Sequence, residues 1–197
     1  MNSAITILLQ DLGSSRRLML DAVRDLSAAE LARQPTPALR SCAGILGMAV
    51  VADREVLRHL GATDLPAVPG GFEARFARWG TGEDGETGYH GALPEIFASH
   101  RNALARATGA LGPADLDEPV DPRDYPDEEA LFRFGTVGEM ILTLSAYTYY
   151  LVGEASVVRL ALGKAAVDDP FERAIAAIEE ATAVPGGGND PEVVFDR

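Results

Sequence analysis

The chain has 197 residues, of which 30 are acidic and 17 basic, giving a formal charge of −13; so anionic a surface argues against nucleic acid and anionic membrane surfaces as partners. A lone cysteine, Cys42, excludes an intrachain disulfide and fits a reducing, cytoplasmic setting. With 47% hydrophobic residues the chain can build its own core, yet no apolar run approaches the roughly 20 residues of a membrane span, and Met1-Asn2-Ser3 enters an amphipathic pattern without a basic leader.

Aromatic residues are sparse and Ala and Leu abundant, which favours helices because neither residue loses much on entering one. From Ser3 to Leu26, the residues Ile5, Leu8, Leu9, Leu12, Met19, Val23 and Leu26 recur at three- and four-residue steps. This spacing predicts one amphipathic helix. Ser27-Ala28-Ala29-Glu30 has capping-box spacing and opens a short helical turn, which Pro35 and Pro37 close. A second helix is predicted over Ser41–Leu60, with Ile45, Ala49, Ala52, Val56 and Leu60 in its stripe, Met48 beside it and Gly61 as its stop.

Residues 61–91 are rich in glycine but hold Phe72, Phe76 and Trp79. They read as a long loop with a short helix at Phe72–Trp79, docked by its aromatics onto the body. A third helix is predicted over Leu93–Leu111, with Phe97, His100 and Leu104 on its apolar face. The acidic, proline-rich residues 113–134 form a second irregular connection. A fourth helix runs from Thr136 to Leu162 behind the capping-box spacing of Thr136 and Glu139, and carries Val137, Met140, Ile141, Leu144, Tyr147, Leu151, Ala155 and Val158 in its stripe. Asp169–Thr182 reads as a last helix that opens with acidic residues and Pro170. No segment alternates with period two, so no sheet is expected.

Two stretches carry a resemblance. Leu26–Leu31, the proline-rich turn and Ser41–Arg54 (SCAGILGMAVVADR) resemble the second-helix region of the DinB/YfiT-like four-helix-bundle family, where a histidine follows a Leu-Gly pair. Thr136–Leu142, Tyr147–Glu154 and the closing Leu160–Gly163 resemble its fourth helix, normally His-x-x-x-His-x-Gly-Gln. The resemblance spans about residues 4–164. It implies an all-α, up-down-down-up type bundle over residues 1–164 that includes the long loop 61–91; beyond it, the sequence itself reads as an extra C-terminal helix within 165–184 and, from the Pro- and Gly-rich stretch at Pro185–Pro191, a flexible tail at 185–197.

In that family three histidines hold a divalent metal such as Zn or Ni, one from the second helix and two, four apart, from the fourth. Residues i and i+4 share a helix face, and a ligand from a facing helix completes an open site. The matching positions here are Met48, Tyr147 and Leu151. Methionine is a soft ligand, a neutral phenol binds poorly and leucine has no donor, so the expectation is a metal-free site. The expected remnant is a small apolar pocket between the second, third and fourth long helices, roofed by the loop with Trp79.

His100 is a candidate general base or pocket hydrogen-bonder near Tyr147, with a core histidine bonded to a carbonyl or hydroxyl as the plainer alternative. His59 suits the end of a helix, where its charge meets the dipole. A substitute metal site from His59, His90 and His100 fits no standard spacing. Glu139 is accounted for by capping, and Glu154 by a solvated face or, alternatively, by the lining of a pocket. Arg16, Arg17, Arg101 and Arg106 are also expected on solvated faces. The resulting expectation is a bundle protein that binds a small molecule in the degenerate site. The alternative is a thiol-dependent transferase or isomerase, or a hydrolase, related to the family's metalloenzymes. A homodimer is expected as well, with Val193–Phe195 of the tail as a candidate arm.

Overall fold

The computed structural model describes residues 3–76, 89–120 and 135–167, which belong to one compact unit ending at Val167. These residues are all-α. The helices are α1 (Ser3–Val23), α2 (Ala28–Ala32), α3 (Cys42–His59), α4 (Phe72–Phe76), α5 (Leu93–Ala110), α6 (Pro113–Leu116) and α7 (Val137–Ala161), with a 3-10 turn at His90–Ala92 leading into α5. Among the described residues there is no strand; Pro119 and Thr136 form an isolated antiparallel bridge. Trp79, the helix expected over Asp169–Thr182 and the tail with Val193–Phe195 lie outside the described residues, and among those described no helix is long and apolar enough to cross a membrane.

Local chemistry sets the helix ends. The Ser27 backbone N–H donates to the Glu30 carboxylate at 2.9 Å, and the Ser27 hydroxyl accepts from the Glu30 N–H at 3.3 Å, so the capping box forms as the spacing predicts. Ser41 caps α3 by accepting from Gly44 at 3.0 Å, and Thr136 caps α7 by accepting from Glu139 at 3.3 Å. Such caps each contribute about 1 kcal/mol. At the other ends, Gly61 and Gly163 both sit at φ +77°, where only glycine avoids a Cβ penalty. Ala62 donates back to Leu57 at 3.0 Å and Lys164 to Arg159 at 2.9 Å, closing both helices in Schellman motifs.

Four long helices dominate the described residues. α1 packs against α5 and α7, and α3 against α5 and α7, so α1 and α3 face each other across the interior. Their buried side chains fall into two clusters. One takes Met19, Ala22 and Val23 of α1, Cys42–Val50 of α3, Leu93 and Phe97 of α5, and Leu151–Val158 of α7. The other takes Ile5–Leu12 of α1, Val56 and Leu57 of α3, Leu104 of α5, and Val137–Leu144 of α7. Cys42 through Val50 of α3 are buried without a break, because α2 and α4 also pack on this helix. The single stripe expected for it is therefore too narrow.

Candidate functional site

Met48 and Leu151 are buried in the larger cluster, Met48 6% exposed and Leu151 fully enclosed, and the half-buried Tyr147 packs against it. The same cluster takes in Phe72 and Phe76 of α4. The rings of Phe72 and Phe76 lie 4.6 Å apart, tilted by 54°, with Tyr89 at 6.1 and 6.5 Å from them. Phe76 rests directly on Gly47: a Cβ there would overlap its ring. Both phenylalanines are almost wholly buried, each worth roughly 1.5–3 kcal/mol of transfer free energy. The loop aromatics dock as the sequence predicts, but inside the core at Gly47.

Between the two clusters lies a polar layer. Arg101 of α5 is 1% exposed, which corrects its expected place on a solvated face. Its Nε donates to Asp53 of α3 at 2.9 Å, one Nη to Ser15 of α1 at 3.3 Å and the other to Thr148 of α7, so each long helix supplies one group. Phe97 lies under the guanidinium, 5.3 Å from ring centroid to Cζ. A cation is rarely buried unless paired, and here Asp53 and two hydroxyls saturate most of its donors. The match is incomplete on the other side. Oδ1 of Asp53 is buried without a hydrogen-bond partner, and burial, only partly offset by Arg101, pushes the carboxyl up to about 6. The signal was present in the sequence: Ser15, Asp53, Arg101 and Thr148 each interrupt an apolar stripe near mid-helix, between Leu12 and Met19, Ala49 and Val56, Phe97 and Leu104, and Leu144 and Leu151.

His100 is fully buried and both ring nitrogens are engaged. Nδ1 lies 2.7 Å from the Ile96 carbonyl, which only accepts, so Nδ1 carries the proton. Nε2 then accepts from Arg54, 2.9 Å away. Arg54 also donates to the Pro66 carbonyl at 2.7 Å and to Glu73 at 2.6 Å, and Arg58 shares that same Glu73 oxygen. Burial raises the Glu73 carboxyl, but the two arginines outweigh it and hold the group below its ordinary range. Burial, with the Arg54 charge, lowers His100. At pH 7, nitrogen-detected NMR is expected to show the neutral Nδ1–H tautomer, with a titration midpoint below that of an ordinary histidine. The sign follows: the unfolded chain takes the proton first, so this residue's stabilisation is present above the ordinary histidine range and fades as pH falls below it.

The other singled-out residues are dispersed. His59 ends α3, while His90 opens the 3-10 turn with its ring 5.9 Å from that of Tyr89. No group of three His, Cys, Asp or Glu that could hold a metal ion occurs among the described residues. Cys42 is buried and its thiol is pushed up to about 11, so it stays protonated and unreactive. Glu154, expected on a solvated face, clamps Arg40 at 2.9 and 3.0 Å and accepts from the Tyr150 hydroxyl at 2.8 Å.

An open recess lies at the far end of the larger cluster. A half-open cleft of about 420 Å³ is walled by Leu20, Val23, Leu26 and Leu31, with Arg24 and Glu95 on its rim. Its exposed lining mixes polar and apolar groups, since Val23, Leu26 and Leu31 are themselves largely buried in the core. No family model, characterised protein or solved structure matches the chain.

Proposed function

We propose that this chain is a metal-free helical bundle of the DinB/YfiT-like kind that works by binding a small molecule rather than by metal chemistry. The observation that carries the reading is the packing at Gly47: Phe76 occupies the helix surface next to Met48, while Leu151 is enclosed in the same cluster. A thioether and an aliphatic side chain offer a divalent ion no hard or borderline donor. The division of the core supports the up-down-down-up arrangement. Along α1 and α7 the chain passes from the smaller cluster to the larger, and along α3 and α5 from the larger to the smaller.

A ligand would enter the cleft between α1, α2 and the start of α5. Its lining combines Leu20 and neighbouring aliphatic groups with Arg24 and Glu95, which suits a small molecule with an apolar body and a carboxylate or an amine at one end. His100 carries no competing catalytic reading, because its lone pair is already bonded to Arg54.

Two measurements on the purified chain test this. Elemental analysis is expected to find no stoichiometric zinc or nickel, and added metal should not raise the melting temperature. Among short apolar carboxylates and amines, a binder at a hundred times its Kd should raise melting by about 5–10 °C, and Leu20→Trp should abolish that rise by filling the cleft. A tightly held stoichiometric ion would overturn the metal-free reading, and a panel without any shift would remove the cleft.

A further inference from the structure

The outward face of α7 is built unlike that of any other long helix here. Leu142, Ala146, Tyr150, Gly153, Val157 and Leu160 fall within about 80° of arc at 3.6 residues per turn, and all six are exposed. The larger ones are about half accessible or more: Leu142 51%, Tyr150 58%, Val157 49% and Leu160 59%. A helix that is apolar all round is normally buried on all sides. Ile7, 60% exposed, extends the patch. It lies one turn before Asp11, which accepts from Tyr149 of α7 at 2.9 Å, so Ile7 stands on the flank of α1 that adjoins this face.

We infer that this face pairs with its own copy, α7 against α7 about a two-fold axis near residues 151 and 152, with the helices antiparallel. Three observations select a second copy as the occupant. The first is shape. Pairing about that axis sets Tyr150 of one copy opposite Gly153 of the other and Ala146 opposite Val157, large against small at each level. Nothing within one copy asks for glycine at 153, since an added Cβ there would meet no atom within 4 Å, and mid-helix glycine costs about 1 kcal/mol relative to alanine. The same axis brings the end with Ile7 and Leu142 onto the partner's Leu160.

The second is charge. In a chain of −13, the span from Met140 to Ala161 has only two charged residues, Glu154 and Arg159. Glu154 is held by Arg40, and the buried Arg159 is held by Asp25 at 2.5 and 3.1 Å. Two copies that repel elsewhere can meet on this neutral face. The third is length. The 25 residues of α7 span about 37 Å, so the exposed positions from Leu142 to Leu160 can meet a second copy along one continuous seam.

Sedimentation equilibrium of the full chain over about 1–100 μM tests the pairing. The expected result is a dimer whose Kd falls as salt is raised, because screening relieves the repulsion between acidic bodies. Gly153→Arg, which a single copy accommodates in open space, should weaken association at least about a hundredfold by placing a charge in the contact. Val157→Glu should do the same, while Asn102→Arg on the exposed side of α5 should leave the mass unchanged. Circular dichroism should be unaltered in all three variants. A monomer throughout the range, or a dimer that survives both α7 substitutions, would overturn the inference.

Discussion

Replacing Arg101 by methionine is expected to cost about 3–5 kcal/mol of folding stability at pH 8 and markedly less at pH 5, because it strands Asp53 as an unpaired buried carboxylate. The pH dependence follows from the direction of the shift. Burial already raises Asp53 to about 6 with Arg101 in place, and removing the guanidinium raises it further. A carboxyl whose folded value lies above its unfolded value binds its proton more tightly in the native state. Its penalty is therefore absent below the unfolded value and grows as pH rises through the folded one. Urea denaturation of the variant across pH 4.5–8.5 measures this slope.

Asp53→Asn should behave differently. It removes the titrating carboxyl and leaves a guanidinium that does not deprotonate in proteins, so the variant should lack the pH slope that Asp53 imparts, and its cost relative to the native chain should shrink as pH rises towards about 6. Joint replacement by Leu at 53 and Met at 101 should recover most of either loss, since an apolar pair of similar volume avoids desolvating two charges. His100 runs the other way, losing its contribution as pH falls, so over the mildly acidic range the two groups oppose each other.

Phe76→Ala is expected to cost about 3–5 kcal/mol, the range for removing a buried aromatic ring and leaving a cavity. Gly47→Ala should also be costly in the native background, because the new methyl group overlaps the ring that rests there, and overpacking typically costs about 1–3 kcal/mol. In the Phe76→Ala background the same methyl group would enter vacated space and should cost little or stabilise. The resulting non-additivity, read from a double-mutant cycle of urea midpoints, reports the contact itself. Independent, additive losses would mean that Phe76 does not sit on Gly47.

The parts of this fold that were legible in the sequence are those settled within one turn or one stripe. Ser27 with Glu30, Thr136 with Glu139, and the glycines at 61 and 163 act on atoms a few residues away, so spacing alone identifies them. Arg101 was legible only as a break in the apolar stripe between Phe97 and Leu104, not as a buried cation. Its burial depends on Ser15, Asp53 and Thr148, which lie on three other helices, and an isolated arginine on a helix is solvated by default. Phe76 and Gly47 are 29 positions apart; an aromatic in a glycine-rich loop announces docking, but not the residue it docks on. His100 was recognised as interior, while its Arg54 partner was not, because that contact joins α3 to α5.

The polar layer also bears on how the helices line up along their length. Advancing α5 by one turn, about 5.4 Å, would pull Arg101 away from Asp53, Ser15 and Thr148 together and push it among leucines and valines. Hydrocarbon surfaces on either side would tolerate such slippage at modest cost, since leucine facing leucine looks much the same one notch along. The charged pair thus works as a detent: it contributes little to the depth of the native minimum but removes its sliding neighbours. A wholly aliphatic version of this interior is expected to be as stable and less singular, populating several axial alignments that NMR would reveal as extra or broadened side-chain resonances.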